Sequence, residues 1–353
     1  MTTETPTKPI STSLTAGKLP RWATPALLAG ALIVCTVLLG PENFAGGIVL
    51  GAVVYLIGIV VLSGIIEGRR KATDRFATSL VVAAFAIATI PLISVSWTAL
   101  SLGLPRFDVA FFTQSMAGII GEGGGALHAI VGTLLITLAA TIISVPIGLM
   151  TSIYLVEYGQ RRPLARAITF FVDVMTGIPS IVAGLFAYSL FSMVFGSGHR
   201  SGISGAVALS VLMIPVVVRS SEEMLRIVPN ELREASYALG VPKWLTITKV
   251  VLPTSIAGIM TGVVLAIARV IGETAPLLLT AGYIANMNYN LFDGRMTTLP
   301  LFVFTTYKNS GGTDVADLDR AWTGALVLIL IVLALNLIAR LIARYFAPKK
   351  SGR

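Results

Sequence analysis

Apolar residues run in long stretches near 22–40, 44–66, 76–100, 127–155, 165–195, 203–221, 250–283 and 321–345, with short polar stretches between them. About 20 apolar residues wound as a helix cross the ~30 Å hydrocarbon core of a bilayer. The pattern predicts an all-α, polytopic membrane protein with about eight transmembrane helices. Two windows exceed one straight crossing. The window 250–283 contains Gly272 and Pro276 and is expected to break there, which is tolerated where protein or a water-filled cavity covers the freed backbone. The window 165–195 contains Gly177, Pro179 and Gly184. A shorter apolar piece, Met296 to Tyr307, cannot cross and reads as an external re-entrant or gating segment.

Composition agrees. The 353 residues are 55% hydrophobic and 12% charged, against about a quarter charged in soluble domains. The net charge of +9 would suit a nucleic-acid partner, but its placement argues otherwise. In an eight-span arrangement 20 of the 26 basic residues fall on one side, with Arg269 inside a span. Basic loops stay cytoplasmic, so both termini are expected inside and no nucleic acid is implied. One cysteine, Cys35, and two scattered histidines, His128 and His199, give no disulfide framework and no metal site. Residues 1–21 read as a disordered cytoplasmic tail, and the run from Trp22 as a retained helix rather than a cleaved signal.

Between the sixth and seventh windows lies a polar stretch, Arg219 to Gly240. Asn230 is expected to cap a short surface helix, with Glu231 and Glu234 in its first turns. Gly240 suits a left-handed exit, and Pro242 prevents continuation. Ala235, Ala238 and Leu239 leave a small apolar face that a partner's groove can take. The spacing Glu234-Ala235, Gly240, Leu252-Pro253 resembles the loop by which permease subunits of bacterial ABC importers engage their ATPases. Val250 and Ser236 are minor departures from that pattern. The chain has no phosphate-binding loop of the G-x4-G-K-[ST] type. The Gly-rich Gly121–Gly125 lacks the lysine and reads as an outer loop. Any ATP is therefore bound by a separate subunit, and the chain is no enzyme.

Asp173, Arg269 and Glu273 are ionisable residues placed well inside apolar windows. Placing one near a helix centre costs about 2.5 to 3.5 kcal/mol, so such residues mark function by default. Glu273 is expected one helical turn beyond Arg269 on the same face. The two form an internal ion pair, or Arg269 offers its fork of donors to an oxyanion while Glu273 holds it at rest. Both readings stay open. Arg219, at the end of the sixth window, reads as a cytoplasmic anchor or, with the hydroxyls of Ser220 and Ser221, as an anion exit site. Asp173 is expected to pair with a basic loop residue or a partner subunit. Gly258 and Gly262 form a small-xxx-small pattern that fits bundle packing or a subunit seam.

Residues 268–277 (Ala-Arg-Val-Ile-Gly-Glu-Thr-Ala-Pro-Leu), 177–185 (Gly-Ile-Pro-Ser-Ile-Val-Ala-Gly-Leu) and 216–225 (Val-Val-Val-Arg-Ser-Ser-Glu-Glu-Met-Leu) closely resemble signatures of the A-type permease of the phosphate-specific ABC importer, the Pst system. The resemblance covers roughly 76–345. It implies a six-span type I permease core over 69–345, with the coupling segment at 230–253. Residues 22–68 add two spans, and 346–353 form a basic cytoplasmic tail. It further implies a C-type sister permease, two ATPase subunits, an extracytoplasmic phosphate-binding protein and the bacterial plasma membrane. The family's transport-linked arginines match Arg219 and Arg269, with Glu273 beside the second. Other oxyanions (sulfate, molybdate, phosphonate) remain alternative cargoes, and a secondary transporter a more distant one.

Overall fold

The computed structural model describes residues 18–20, 22–159, 162–312 and 314–346. The tails expected over 1–21 and 346–353 lie outside these residues, save 18–20 and the backbone of Phe346. Among the described residues every regular element is helical. The chain divides into two compact units between Val95 and Ser96.

In the first unit α1 (Ala23–Leu39) and α2 (Phe44–Ile66) form a hairpin, followed by α3 (Arg69–Gly103), whose start belongs to the same unit. Small residues let the hairpin close. A Cβ added at Gly47 would lie 2.7 Å from the Thr36 Cα, and one at Gly51 2.9 Å from the Leu32 Cα. Buried Glu67 clasps the turn. It accepts from Arg75 Nε at 2.6 Å, Ser63 Oγ at 2.9 Å and the Leu19 amide at 2.9 Å.

The second unit continues through α4 (Val109–Thr113), α5 (Leu127–Ile153), α6 (Pro163–Thr176), α7 (Ser180–Phe195) and α8 (Gly202–Ile227). Next come α9 (Asn230–Ala238), α10 (Lys243–Thr246), α11 (Leu252–Val270), α12 (Ala275–Thr280), α13 (Leu299–Asn309) and α14 (Val315–Phe346). Single π-helical turns at Tyr154–Tyr158 and Ile247–Val251 join α5 to its loop and α10 to α11. Among the described residues six helices are long and apolar enough to cross a membrane, with a seventh crossing if the bent pair α6 and α7 counts as one. The remaining expected crossing, α1, has 17 residues.

The core of this unit is the seam of α8 with α5 and α11, where Ile136, Leu209, Met213, Val217, Ile259 and Val270 are buried together. A Cβ at Gly262 would lie 2.5 Å from Ser220 Oγ, so this glycine serves packing inside the chain. Gly258 faces Met224 in the same seam. Helix α8 also runs past its apolar window to Ile227, so Arg219 sits within the helix rather than at its end.

Both overlong windows are broken. Helices α6 and α7 meet at 109° across Gly177-Ile178-Pro179, where proline disfavours helical backbone at the preceding residue. Helix α11 stops at Val270, and α12 resumes at Ala275 with Pro276 in its first turn. The short piece expected near Met296–Tyr307 is α13, an 11-residue helix with buried Leu299, Leu301 and Phe302. Its start is held by the Leu299 amide donating to Thr133 Oγ1 at 2.6 Å.

The two breaks are packed together. A Cβ at Gly184 in α7 would lie 2.6 Å from the Pro276 Cα in α12. Gly184→Ala is expected to destabilise the protein by about 1–3 kcal/mol through overpacking. A lowered thermal midpoint of the purified protein is the readout, and an unchanged midpoint would show that α7 and α12 yield freely.

Candidate functional site

The helix breaks converge on one cavity of about 210 Å³. Thr176, Ile178 and Ser180 come from the first break and Arg269 and Glu273 from the second, with Leu212, Pro215 and Val216 of α8 as the floor. The structure thus brings together two of the residues predicted for an anion path. Their relation differs from expectation. Because α11 ends at Val270, Glu273 lies in the following turn, its amide donating to the Val270 carbonyl at 3.1 Å, rather than one turn along the same helix. Among the described residues neither Arg269 nor Glu273 has an oppositely charged group within ion-pair distance. The internal ion pair is therefore not formed, and the guanidinium donors of Arg269 remain available beside a hydroxyl-lined space.

Arg219 is placed elsewhere and is fully engaged. Its Nη2 donates to Asp173 of α6, and its Nη1 donates to buried Glu222 at 2.8 Å. Glu222 also accepts from Arg226 at 2.6 Å. Asp173 thus pairs with Arg219 itself, not with a basic loop residue. The two serines are not arranged around Arg219 as donors to an anion. Ser220 donates to the Val217 carbonyl at 3.3 Å under Gly262, and Ser221 Oγ is buried without a partner.

The segment predicted to couple to an ATPase folds as a nine-residue α9, a turn and α10. Gly240 takes φ +75°, the left-handed exit expected of it. The predicted cap is displaced by one residue: Pro229 is the N-cap, and Asn230 enters the helix and accepts from Arg233 at 3.3 Å. Leu239 is 84% exposed, and Ala235 and Ala238 are exposed with it. Leu252 and Pro253 open α11 directly after the π-helical turn, so Glu234, Ala235, Gly240, Leu252 and Pro253 all belong to one helix–turn–helix run.

Sequence reasoning missed what holds this run in place. Arg233 donates to Glu157 at 2.8 and 3.0 Å, to the Val228 carbonyl at 2.6 Å and to the Leu225 carbonyl at 3.0 Å. Its side chain is 12% exposed and that of Glu157 5%. Lys243 donates to the Glu157 carbonyl and lies 4.7 Å from the Tyr158 ring centre. One arginine therefore joins the end of α5, the end of α8 and α9. The signal was present: Glu157 is an isolated acid in an otherwise basic turn. The Gly-rich loop at Gly121–Gly125 is likewise more than a linker, because Arg320 donates to the Gly121 and Gly123 carbonyls, each at 2.8 Å, and Arg106 to that of Gly124 at 2.6 Å.

A bundle of membrane-length helices with a polar cavity at paired helix breaks defines an integral membrane transport subunit. Residues 144–352 match the family described as binding-protein-dependent transport system inner membrane component. The chain is 45% identical over 287 residues to phosphate transport system permease protein PstA 1 of Mycobacterium tuberculosis strain H37Rv, covering 80% of this chain and 91% of that one. It is 40% identical over 282 residues to PstA of Yersinia pestis, covering 80% and 92%. The chain belongs to this permease family, in its PstA branch. A bacterial alginate ABC transporter shares the fold, with a TM-score of 0.51, 14% identity and coverage of 79% of this chain and 99% of that chain.

Replacing Arg233 by Met leaves Glu157 buried without its partner, a loss of about 3–5 kcal/mol. The double variant Glu157→Gln with Arg233→Met is expected to recover part of it. Thermal unfolding of the purified complex reads both, and equal midpoints for the single and double variants would show that this pair does not hold the segment.

Proposed function

We propose that this chain is the A-type permease of an ATP-driven importer and carries inorganic phosphate into the cytoplasm by alternating access. The observation that carries the reading is the cavity between the two helix breaks. Interrupted membrane helices form substrate sites because their freed backbone groups and polar side chains face a protected space. Here that space holds Arg269 with no carboxylate at ion-pair distance, Glu273 on the same lining, and Thr176 and Ser180. A guanidinium stays charged at any physiological pH, so it receives either ionisation state of phosphate.

In this reading Arg269 receives the anion, and Glu273, which lines the same cavity without bonding Arg269 in this structure, pairs with it in another state of the transport cycle. Arg219 acts later. Its bonds to Asp173 and Glu222 neutralise it at rest, and the arriving anion takes the place of Asp173. A C-type sister permease closes the path from the other side, and a phosphate-binding protein delivers cargo outside. Two ATPase subunits bind the ATP and engage α9 and the turn at Gly240 through exposed Ala235, Ala238 and Leu239. The Arg233 clamp then carries their movement to α5 and α8. The basic loops put both termini in the cytoplasm.

Arg269→Gln in the assembled complex is expected to lower labelled-phosphate uptake into proteoliposomes by about 10- to 100-fold, the worth of one charge-assisted hydrogen bond. Arg269→Lys should retain part of the activity. Wild-type uptake by Arg269→Gln, with normal assembly, would remove that residue from the path. Labelled sulfate in the same vesicles separates a phosphate importer from a carrier of other oxyanions.

A further inference from the structure

A second pair of arginines converges at the end of α8 opposite the coupling segment. Arg200 stands just before α8, and Arg295 lies in the loop between α12 and α13. The residue after each is tied to the end of α12: the Ser201 amide donates to the Thr280 carbonyl at 3.1 Å, and the Met296 amide to the Ala281 carbonyl at 3.1 Å. Gly282 follows directly. A Cβ added there would lie 3.0 Å from the Arg200 Cδ and 3.3 Å from the Arg295 Cδ. Both side chains therefore pass over one glycine, whose φ of +71° disfavours any other residue as well.

Each arginine is presented from a fixed support. The His199 ring stacks on Phe195 with 4.9 Å between centres, and its Nε2 lies 3.2 Å from Ser201 Oγ. Asn288 Nδ2 donates to the Arg295 carbonyl at 2.9 Å. Among the described residues neither guanidinium has a carboxylate within ion-pair distance, Asp293 of the same loop included. Arg106 and Arg320 differ, being spent on Asp108, Asp317 and the carbonyls of the Gly-rich loop. Two like charges held over one glycine repel each other unless an anion joins them. Their forked donors match an oxyanion with several acceptor oxygens. The six-residue α12 leads from the break carrying Arg269 and Glu273 to this pair, a rise of ~9 Å.

We propose that Arg200 and Arg295 form an anion-capture site at the outer mouth of the path, which takes inorganic phosphate before it reaches Arg269. His199 and Asn288 are positioning residues that hold the two guanidinium groups toward each other. The site shares no residue with the cavity at the helix breaks. It rests on the import reading above, which supplies the anion and puts this end of α8 outside.

The test begins with the complete complex in nanodiscs, without binding protein or ATP, treated with the guanidinium reagent phenylglyoxal and mapped by mass spectrometry. Inorganic phosphate at ~10 times its Kd should slow modification of Arg200 and Arg295 about 10-fold, with Arg69 and Arg70 of α3 unaffected. In proteoliposomes with saturating phosphate-loaded binding protein, Arg200→Gln with Arg295→Gln should lower labelled-phosphate uptake about 10-fold. Arg200→Lys with Arg295→Lys should retain more of it, and Lys308→Gln, at an exposed site on α13, should leave it intact. Absence of phosphate protection in the wild-type complex overturns the proposal. So does a wild-type maximal rate in the double Gln variant; a raised half-saturating concentration of binding protein alone would assign the pair to that protein's acidic surface. If the variant does not assemble, wild-type protection decides. Protection needs no transport and should persist in Arg269→Gln, so protection without phosphate uptake by the wild-type complex would fault the transport reading and not this site.

Discussion

A backbone crossing hydrocarbon has to satisfy its own N–H and C=O groups, and this constraint orders the second unit. Helices obey it without help; their interruptions do not. Gly177-Ile178-Pro179 and Ile271–Thr274 both release backbone groups, and the fold answers by setting the two interruptions against each other, Gly184 packed on Pro276. The same juxtaposition creates the polar cavity. A chain that must bury its breaks together obtains, from that packing, a protected space lined by whatever side chains the breaks carry. Here those are Thr176, Ser180, Arg269 and Glu273.

Much of this was legible because hydrocarbon thickness leaves a plain record in sequence. The crossings, the overlong windows with their Gly and Pro interruptions, the short α13 and the left-handed Gly240 all follow from run length and backbone chemistry. What was not legible is partner choice across long separations. Asp173 and Arg219 are 46 residues apart, and Glu157 and Arg233 are 76 apart. Local spacing joins Arg269 to Glu273 as a helical pair, yet the helix ends between them. Asn230 carries the chemistry of a cap, but Pro229, which cannot donate a backbone hydrogen bond and fixes φ, takes the position before it.

The three arginines at the heart of the second unit illustrate how environment divides one chemistry into separate roles. Arg233 spends its donors on Glu157 and on the carbonyls of Leu225 and Val228, so it acts as a joint. Arg219 is shared between two carboxylates on different helices. Arg269 faces a cavity with no carboxylate bonded to it. Burial alone does not produce this ranking, since Arg269 is exposed and Arg233 nearly closed over. The supply of competing acceptors does.

That supply also bears on direction of movement. A guanidinium without a counter-charge at membrane depth costs about 2.5 to 3.5 kcal/mol unless water or an anion attends it. Arg269 has no bonded carboxylate to displace, whereas Arg219 is already neutralised by Asp173 and Glu222 and would yield only to a better acceptor. On the proposed path, an anion passing from Arg269 to Arg219 would exchange a guanidinium with free donors for one that has to release Asp173 to hold it. That proposed transfer would be uphill on side-chain electrostatics alone. The Arg233 joint ties α8, which carries Arg219, to α9, so under the proposed coupling a push on α9 would reach the helix where that cost arises.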